Sequence, residues 1–274
     1  MEKLLLASGD IDLATIDTSS TPGFTGDKKA AAAQLETNAE ELAGLQERLF
    51  AESKYGGTRS VLLLLQAMDT AGKGGIVRHV VGGVDPQGVK IYAFKAPTEE
   101  ENKHDFLWRV RKQLPPPGLI GVFDRSHYEA VLIHRVRALS SPAEVEERYG
   151  IIAEFERELV ASGTTLIKVM LHISADEQKA RLQERLDRPD KHWKYKPGDV
   201  DERTLWPAYQ EAYQLAIQRT TTTDAPWFVV PADRKWYARI AVQQLLLDTM
   251  RRLDPHWPVA DFDVEFEKKR LAAT

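Results

Sequence analysis

Short apolar runs alternate along the chain with longer segments in which apolar residues recur at helical spacing. The runs are Val61 to Leu65, Val89 to Phe94, Leu119 to Phe123, Leu166 to Ile173 and Phe228 to Val230. Runs of this length, apolar on both faces, are typical of buried parallel strands that helices connect. The pattern predicts an α/β fold: a five-stranded, doubly wound parallel sheet flanked by helices, with ligands at the carboxyl ends of the strands.

Helical spacing is clearest in two segments. The first runs from about Asp27 to Ser53, and Gly56 and Gly57 end it. The second starts near Asp201 and presents one apolar face, which consists of Leu205, Ala208, Tyr209, Ala212, Tyr213 and Ala216. Residues 1–26 show no sustained period and are predicted to be a surface tail, which leaves residues 27–274 as a single domain.

Composition excludes several classes of function. The chain has no cysteine, which rules out disulfides, thiolate metal sites and a cysteine nucleophile. No apolar run approaches the roughly 20 residues that a membrane helix needs, and the N-terminus lacks a basic segment followed by an apolar one, so we expect a cytoplasmic protein without membrane contact. A net charge of -4 disfavours nucleic acid as a partner, and any other polyanion must bind a locally basic groove.

The first strand runs directly into a loop of small residues, Gln66 to Gly75, and a helical pattern follows. Strand, small-residue loop and helix are the context that a phosphate-binding P-loop requires. Backbone N–H groups surround the phosphate oxygens, the helix N-terminus adds partial positive charge, and Lys73 adds a full charge. The predicted phosphate-binding residues are Ala71, Gly72, Lys73, Gly74 and Gly75. A glycine-rich turn with an exposed lysine is the alternative.

The loop departs from the usual P-loop pattern at two positions. Ala67 replaces the usual first glycine, and Gly74 stands where a Ser or Thr hydroxyl would bind magnesium. Asp69, inside the loop, is expected to supply a metal ligand in place of that hydroxyl.

The third apolar run ends at Asp124 and Arg125. An acid at the carboxyl tip of a strand in a P-loop fold is where the Walker B residue holds magnesium against the phosphates, and Asp124 fits that role. Arg125 offers a rigid fork of donors suited to the oxygens of the transferred phosphoryl group. The alternatives are a helix N-cap for Asp124 and a surface ion pair for Arg125.

Residues 176–203 are predicted to form a mobile basic lid. Ser174 and Glu177 have the spacing of a capping box, which predicts the start of a helix. On this helix three arginines share one face: Arg181, Arg185 and Arg188. Basic and aromatic residues then follow Pro189, namely Lys191, Trp193, Lys194, Tyr195 and Lys196. The segment also holds as many acidic as basic residues, so a solvated face of mutually paired charges is the alternative.

From about Gly26 to Met250 the chain resembles the polyphosphate kinase 2 family. The segments that carry the resemblance are Gln66 to Gly75, Phe94-Lys95-Ala96-Pro97-Thr98, His104 to Arg109, Phe123 to Glu129, Leu182 to Tyr195, Ala225-Pro226-Trp227 and Trp236-Tyr237. This resemblance implies a P-loop kinase fold with a helical lid, and phosphoryl transfer between polyphosphate and AMP, ADP or ATP with Mg²⁺. It also implies that homo-oligomers form.

Carried over by motif, the resemblance implies a role for each site residue. Asp69 and Asp124 hold Mg²⁺, Lys73 and Arg125 grip the phosphate chain, Arg181 and Arg185 close from the lid, and Lys95 and Glu129 lie at the nucleotide. We expect direct in-line transfer, since nothing in the sequence marks a histidine for phosphorylation. An ATP-dependent nucleoside monophosphate kinase and a non-catalytic nucleotide-binding or polyanion-binding module are the rival functions.

Glu129 bears on the choice of nucleotide. In the resembled family, an acidic residue at this position accompanies acceptance of monophosphates, whereas asparagine accompanies restriction to diphosphates. A carboxylate there can bind a further magnesium ion or its water and balance the shorter AMP, but it repels a bare extra phosphate. AMP is therefore an expected acceptor, with ADP also accepted. The alternative is that Glu129 only pairs with Arg125.

Overall fold

The computed structural model describes all 274 residues. Its helices and strands, in chain order, are α1 (Glu2–Leu5), α2 (Lys28–Lys54), β1 (Ser60–Ala67), α3 (Lys73–His79), β2 (Val89–Ala93), α4 (Trp108–Arg111), β3 (Ile120–Asp124), α5 (Ile133–Val136), α6 (Pro142–Ala161), β4 (Thr164–His172), α7 (Ala175–Asp187), α8 (Gly198–Thr204), α9 (Trp206–Thr220), β5 (Trp227–Pro231), α10 (Lys235–Leu253) and α11 (Val264–Ala272). The five predicted strands and the helix predicted from about Asp27 are all present.

The five strands form one parallel sheet in the order β2, β3, β1, β4, β5, which confirms the predicted α/β class. Strand β1 lies at the centre and is buried along its whole length, because helices cover both faces of the sheet. Its neighbour β3 is in register with it, so that Leu65 lies opposite Asp124. The loop that follows β1 and the acid that ends β3 therefore emerge side by side at the carboxyl edge.

Residues 1–26 are packed more closely than the predicted surface tail. Leu6 forms an isolated antiparallel bridge with Phe228 of β5, and the side chains of Leu5, Ala7 and Leu13 are buried in the core. The segment thus covers the outer edge of β5 and removes its unpaired backbone groups from solvent. Single apolar residues among turns have no period, which is why the sequence pattern did not indicate this packing.

The helix predicted to start near Asp201 is two helices, α8 and α9, with Leu205 between them. Pro207 stands in the first turn of α9, where its missing N–H costs nothing, but in the middle of a helix its ring would clash with the preceding turn. The apolar face of α9 packs inward through Ala212, Tyr213 and Ala216, as predicted. No helix of the structure is both long and apolar enough to cross a membrane.

Candidate active site

The loop between β1 and α3 has the backbone of a phosphate-binding site. Gly72 caps α3 in a left-handed conformation with a φ of 116°, which side chains rarely adopt. Thr70 also has a positive φ, 65°, and such strain in a residue other than glycine is typical of functional loops. The backbone N–H groups of Gly72, Lys73 and Gly74 donate no hydrogen bond within the protein, so they are available to phosphate oxygens.

Lys73 is the first residue of α3, and only 9% of it is exposed. Its Nζ lies 3.9 Å from Oδ1 of Asp124. Burial lowers the pKa of the Lys73 ammonium, and the carboxylates of Asp124, Asp69 and Glu129 oppose that shift. The ammonium is therefore held among acids at the base of the loop.

Arg181 has a different position from the one that the sequence suggested. It was expected to close over phosphate from the lid, but only 4% of it is exposed and it lies beneath the loop. Its Nη1 donates to the backbone oxygens of Thr70 and Ala71, both at 3.0 Å. Its Nη2 donates to the backbone oxygens of Ala232 (2.7 Å) and Asp233 (2.8 Å).

The remaining donor of Arg181, Nε, bonds Oε1 of Glu177 at 2.7 Å. A guanidinium has five N–H groups, and all five are thus occupied within the protein. Glu177 accordingly faces Arg181 and forms only half of the predicted capping box: the Ser174 hydroxyl accepts from its N–H, while the Ser174 N–H donates to Asp233. Arg181 is a brace that holds the P-loop against α7 and β5, with no donor left for a phosphate.

Arg185 reaches the loop from the same face of α7. Its Nη1 lies 3.3 Å from Oδ2 of Asp69 and 3.3 Å from Oδ2 of Asp199, and it donates to the backbone oxygen of Lys194 at 3.0 Å. The Gln178 side chain donates to the backbone oxygen of Asp69 at 3.2 Å. Through these contacts the lid segment packs against the P-loop, and the guanidinium of Arg185 lies next to the carboxylate of Asp69.

Some charged residues of the lid segment form ion pairs with each other, and others remain unpaired. Arg188 pairs with Glu184 and Asp190, and Lys191 also pairs with Asp190, as the solvated-face alternative expects. Lys194 and Lys196 form no ion pair; the ammonium of Lys194 lies 4.9 Å from the centre of the Trp193 ring. Lys179, near the start of α7, also forms no ion pair, so unpaired positive charge lies at both Lys179 and the Lys194–Lys196 stretch of the segment.

Asp124 ends β3 with its side chain about one third exposed. It caps no helix, because Ser126 is the residue that caps the turn that follows. Arg125 has a positive φ of 63°, and its N–H donates to the backbone oxygen of Leu65 at 3.0 Å. This conformation leaves the Arg125 guanidinium exposed and free of ion pairs, which does not match the surface-pair alternative.

Glu129 is half-buried and lies beside Gln66 of β1. With its amide oriented to satisfy both neighbours, Gln66 donates to Oε1 of Glu129 at 3.1 Å and accepts from Oγ of Ser126 at 3.0 Å. Burial raises the pKa of the Glu129 carboxyl, while the charges of Arg125 and Lys73 act in the opposite direction. Glu129 makes no ion pair with Arg125, so the alternative that this glutamate only pairs with Arg125 does not match the structure.

The segment that carries Arg125 and Glu129 is anchored from behind by buried polar groups. Glu156 of α6 accepts from the Tyr128 hydroxyl (2.8 Å) and the Lys168 ammonium (2.6 Å), and its Oε1 lies 3.1 Å from Nε2 of His127. Burial opposes ionisation of Glu156, but Lys168 and His127 hold its pKa below the ordinary value. A buried network with these partners fixes the backbone from which the site residues project.

A cavity of about 890 Å³ opens beside the P-loop, which is the size of a small-molecule site. Asp69, Lys95, Arg125 and Glu129 line it. Its walls include apolar and basic side chains that sequence reasoning missed, among them Phe106, Arg109, Leu139, Arg148 and Tyr213. Lys95 is exposed at the rim, and its backbone oxygen accepts from Nη2 of Arg109 at 2.7 Å. The structure thus brings Asp69, Arg125, Glu129 and Lys95 to one cavity.

The acidic side chains at the site suit a magnesium ion that binds together with a phosphate substrate. Asp69 and Asp124 flank Lys73 and are both partly exposed, but no group of three or more metal-binding side chains is present. Mg²⁺ commonly binds through one or two carboxylates together with substrate phosphates and water. The donor set suits that mode of binding, in which phosphate supplies the remaining ligands.

A parallel sheet with a P-loop after its central strand, an acid at the tip of the neighbouring strand and a lid segment over the loop defines a P-loop kinase. The chain belongs to the polyphosphate kinase 2 family, whose sequence model matches residues 25–257. It is similar to a crystal structure of polyphosphate kinase 2 from Arthrobacter aurescens TC1, with a TM-score of 0.98 and 57% identity over 99% of this chain and 96% of that one.

Two relatives extend the comparison to named activities. An AMP/ADP-polyphosphate phosphotransferase from Meiothermus ruber is 46% identical over 250 residues, which cover 91% of this chain and 92% of the relative. An ADP-polyphosphate phosphotransferase from Rhodopseudomonas palustris is 42% identical over 236 residues, which cover 82% and 80% of the two chains.

Proposed function

We propose that this protein is a polyphosphate:nucleotide phosphotransferase that converts AMP to ADP and ADP to ATP, and that can run in either direction. The observation that carries this proposal is the position of the P-loop at the edge of the 890 Å³ cavity. Polyphosphate on the loop and a nucleotide in the cavity would meet end to end. The names of the Meiothermus and Rhodopseudomonas relatives support polyphosphate as the donor.

The transfer is direct. The bond between the terminal phosphorus of polyphosphate and its bridging oxygen breaks, a terminal phosphate oxygen of the nucleotide bonds to that phosphorus, and the shortened polyphosphate leaves. Lys73, the free N–H groups of the loop and Arg125 stabilise the charge that develops on the transferred group. Asp69 and Asp124 would hold Mg²⁺, which would supply positive charge to neutralise the phosphates when bound. Arg185 of the lid segment adds a positive charge next to Asp69.

Three histidines line the cavity, and each has a partner within the protein. The His104 ring stacks on Trp108 with a centroid distance of 3.9 Å, His127 bonds Glu156, and Nδ1 of His134 lies 3.0 Å from the Ser140 hydroxyl. This supports transfer without a phosphohistidine. We also propose a cytoplasmic location, and we extend to this chain the homo-oligomers expected from its family.

A donor comparison separates this proposal from an ATP-dependent nucleoside monophosphate kinase. The purified protein is incubated with AMP, Mg²⁺ and either polyphosphate or ATP as the donor, and ADP formation is followed. We expect polyphosphate to support ADP formation, followed by ATP. If ATP supports the reaction and polyphosphate does not, the protein is a nucleotide-dependent kinase.

Asp69→Asn and Asp124→Asn are expected to weaken the response to magnesium as well as the rate. Loss of a group that only orients a metal ligand costs about 10- to 100-fold in metal affinity, so loss of a ligand should raise the half-maximal Mg²⁺ concentration at least about tenfold. The measurement is the initial rate against Mg²⁺ concentration. Asp190→Asn, an exposed lid residue, is the control, and a variant that keeps the wild-type magnesium response removes its aspartate from the proposed metal site.

Glu129→Asn is expected to lower AMP turnover relative to ADP turnover, because it removes the carboxylate that balances the shorter acceptor. Burial raises the pKa of Glu129, so this carboxyl takes up its proton at a higher pH than an exposed glutamate. Acidification should therefore lower the AMP-to-ADP rate ratio of the wild type.

The same pH series with Glu129→Asn is the control. The substrates ionise identically in both series, so a difference between the two proteins is due to Glu129. The wild-type ratio should fall on acidification toward that of the variant, whose own ratio changes less. An unchanged ratio at neutral pH in the variant, or a wild type that ignores AMP, contradicts the role of Glu129.

A further inference from the structure

Two arginines lie on the side of the P-loop that faces away from the cavity. Arg78 stands one turn after Gly75 in α3, so the two residues share a face of that helix. Arg239 of α10 packs against this face. Its Nη2 lies 3.8 Å from the point that a Cβ at Gly75 would occupy, and its Nε lies 3.9 Å from that point.

These two arginines carry charge that the protein itself does not neutralise. Neither Arg78 nor Arg239 forms an ion pair or donates a side-chain hydrogen bond, whereas arginines elsewhere on α10 and α11, such as Arg251 and Arg270, hold carboxylates. Burial and the charge of Arg78 lower the pKa of Arg239, and both arginines act in the same direction on His79. Positive groups are thus gathered here without a counter-ion, in a chain whose net charge is -4.

The position of the cavity bears on the direction in which a donor chain would leave the loop. The cavity is lined by Ala67, Met68 and Asp69 but reaches none of the residues Gly72 to Gly75. The phosphoryl group that is transferred has to face the acceptor in the cavity. The remaining phosphates would then extend away from it, and the path over Gly74 and Gly75 leads toward Arg239 and then Arg78.

We propose that Arg78 and Arg239 form a distal subsite for the inner phosphates of long polyphosphate chains. The inference rests on the proposed function and adds that the enzyme binds long chains more tightly than short ones through this subsite. Guanidinium groups suit the role because each can donate two parallel hydrogen bonds to phosphate oxygens. Tripolyphosphate has only three phosphates, namely the transferred group and two that lie at the loop. It is therefore too short to reach the subsite.

The test compares two donors in Arg78→Gln, Arg239→Gln and the double variant, with ADP as the acceptor. KM is measured for long-chain polyphosphate, for tripolyphosphate and for ADP, and the melting temperature is followed in parallel. Arg270→Gln, which removes an arginine from the exposed helix α11, is the matched control. We expect each subsite variant to raise the KM for long chains about three- to tenfold, and the double variant to raise it further, with the other two constants unchanged.

Each other outcome rejects the subsite for a distinct reason. An unchanged KM for long chains shows that the arginines do not touch the donor. An equal rise for tripolyphosphate and long chains, or a lowered melting temperature with a general loss of activity, shows that they act on the P-loop itself. A wild type that transfers phosphate from neither donor rejects the proposed function and the subsite with it.

Discussion

Lys73→Met is expected to abolish phosphoryl transfer while the fold stays intact. The Lys73 ammonium lies at the base of the P-loop, 3.9 Å from Asp124. Removal of one preorganised electrostatic group from a site where charge develops typically lowers kcat by about 10²- to 10³-fold, and loss of its charge-assisted bonds to phosphate weakens binding by roughly 1.5–3 kcal/mol each. Methionine keeps most of the volume of the side chain.

The measurement is the rate of ATP formation from ADP and polyphosphate, together with the circular dichroism spectrum and melting temperature. Lys29→Met, on the exposed first turn of α2, is the matched control and should keep the wild-type rate. Near-normal turnover by Lys73→Met with a normal spectrum would remove Lys73 from the site and leave the loop as a glycine-rich turn.

Arg181→Met is expected to lower both stability and turnover. The substitution removes the common partner of four backbone oxygens and of the Glu177 carboxylate, all of which Arg181 holds at 3.0 Å or less. Glu177 is one third exposed and can be solvated, but a buried acceptor left without its donor costs about 1–3 kcal/mol, so the loss of several should cost about 3–5 kcal/mol. For a chain of this size that corresponds to a fall in melting temperature on the order of 10 °C. The P-loop should then lose its fixed position, which lowers kcat with any donor.

Thermal unfolding and steady-state kinetics well below the melting temperature separate a brace from a phosphate ligand. Arg188→Ala is the control: this arginine stands on the same helix, but its pairs with Glu184 and Asp190 are exposed and are worth at most about 1 kcal/mol. If Arg181→Met melts like the control and raises only the KM for polyphosphate, Arg181 binds the donor from the lid, as the sequence first suggested.

The sheet was predictable because β1, β3, β4 and β5 are almost entirely buried on both faces. Val61 to Leu65 of β1 is an unbroken apolar run, and such a run next to a P-loop leaves few alternatives. Two features of the fold were not predictable in the same way. The packing of residues 1–26 on β5 depends on a few isolated side chains, and the break at Leu205 depends on where Pro207 falls within a helical pattern that otherwise continues.

The residues of the site likewise differ in how far the sequence could predict their positions. The proximity of Lys73 and Asp124 could be predicted because the strand, loop and strand-end positions determine where such residues lie, whatever surrounds them. The role of Arg181 could not, since spacing shows that it shares a helix face with Arg185 but not what that face touches. Gln66 had a signal that was overlooked: a polar residue in the apolar strand β1, which the structure places between Ser126 and Glu129.

Transfer of label from polyphosphate to nucleotide tests the central claim most directly. Polyphosphate labelled with ³²P is incubated with unlabelled AMP or ADP, Mg²⁺ and the purified protein, and the nucleotides and the protein are then separated and counted. The account predicts label in ADP and ATP, none covalently bound to the protein, and none in nucleotide when Lys73→Met replaces the wild type. Label that remains in polyphosphate, or that accumulates on the protein before it reaches nucleotide, would contradict direct transfer at this P-loop.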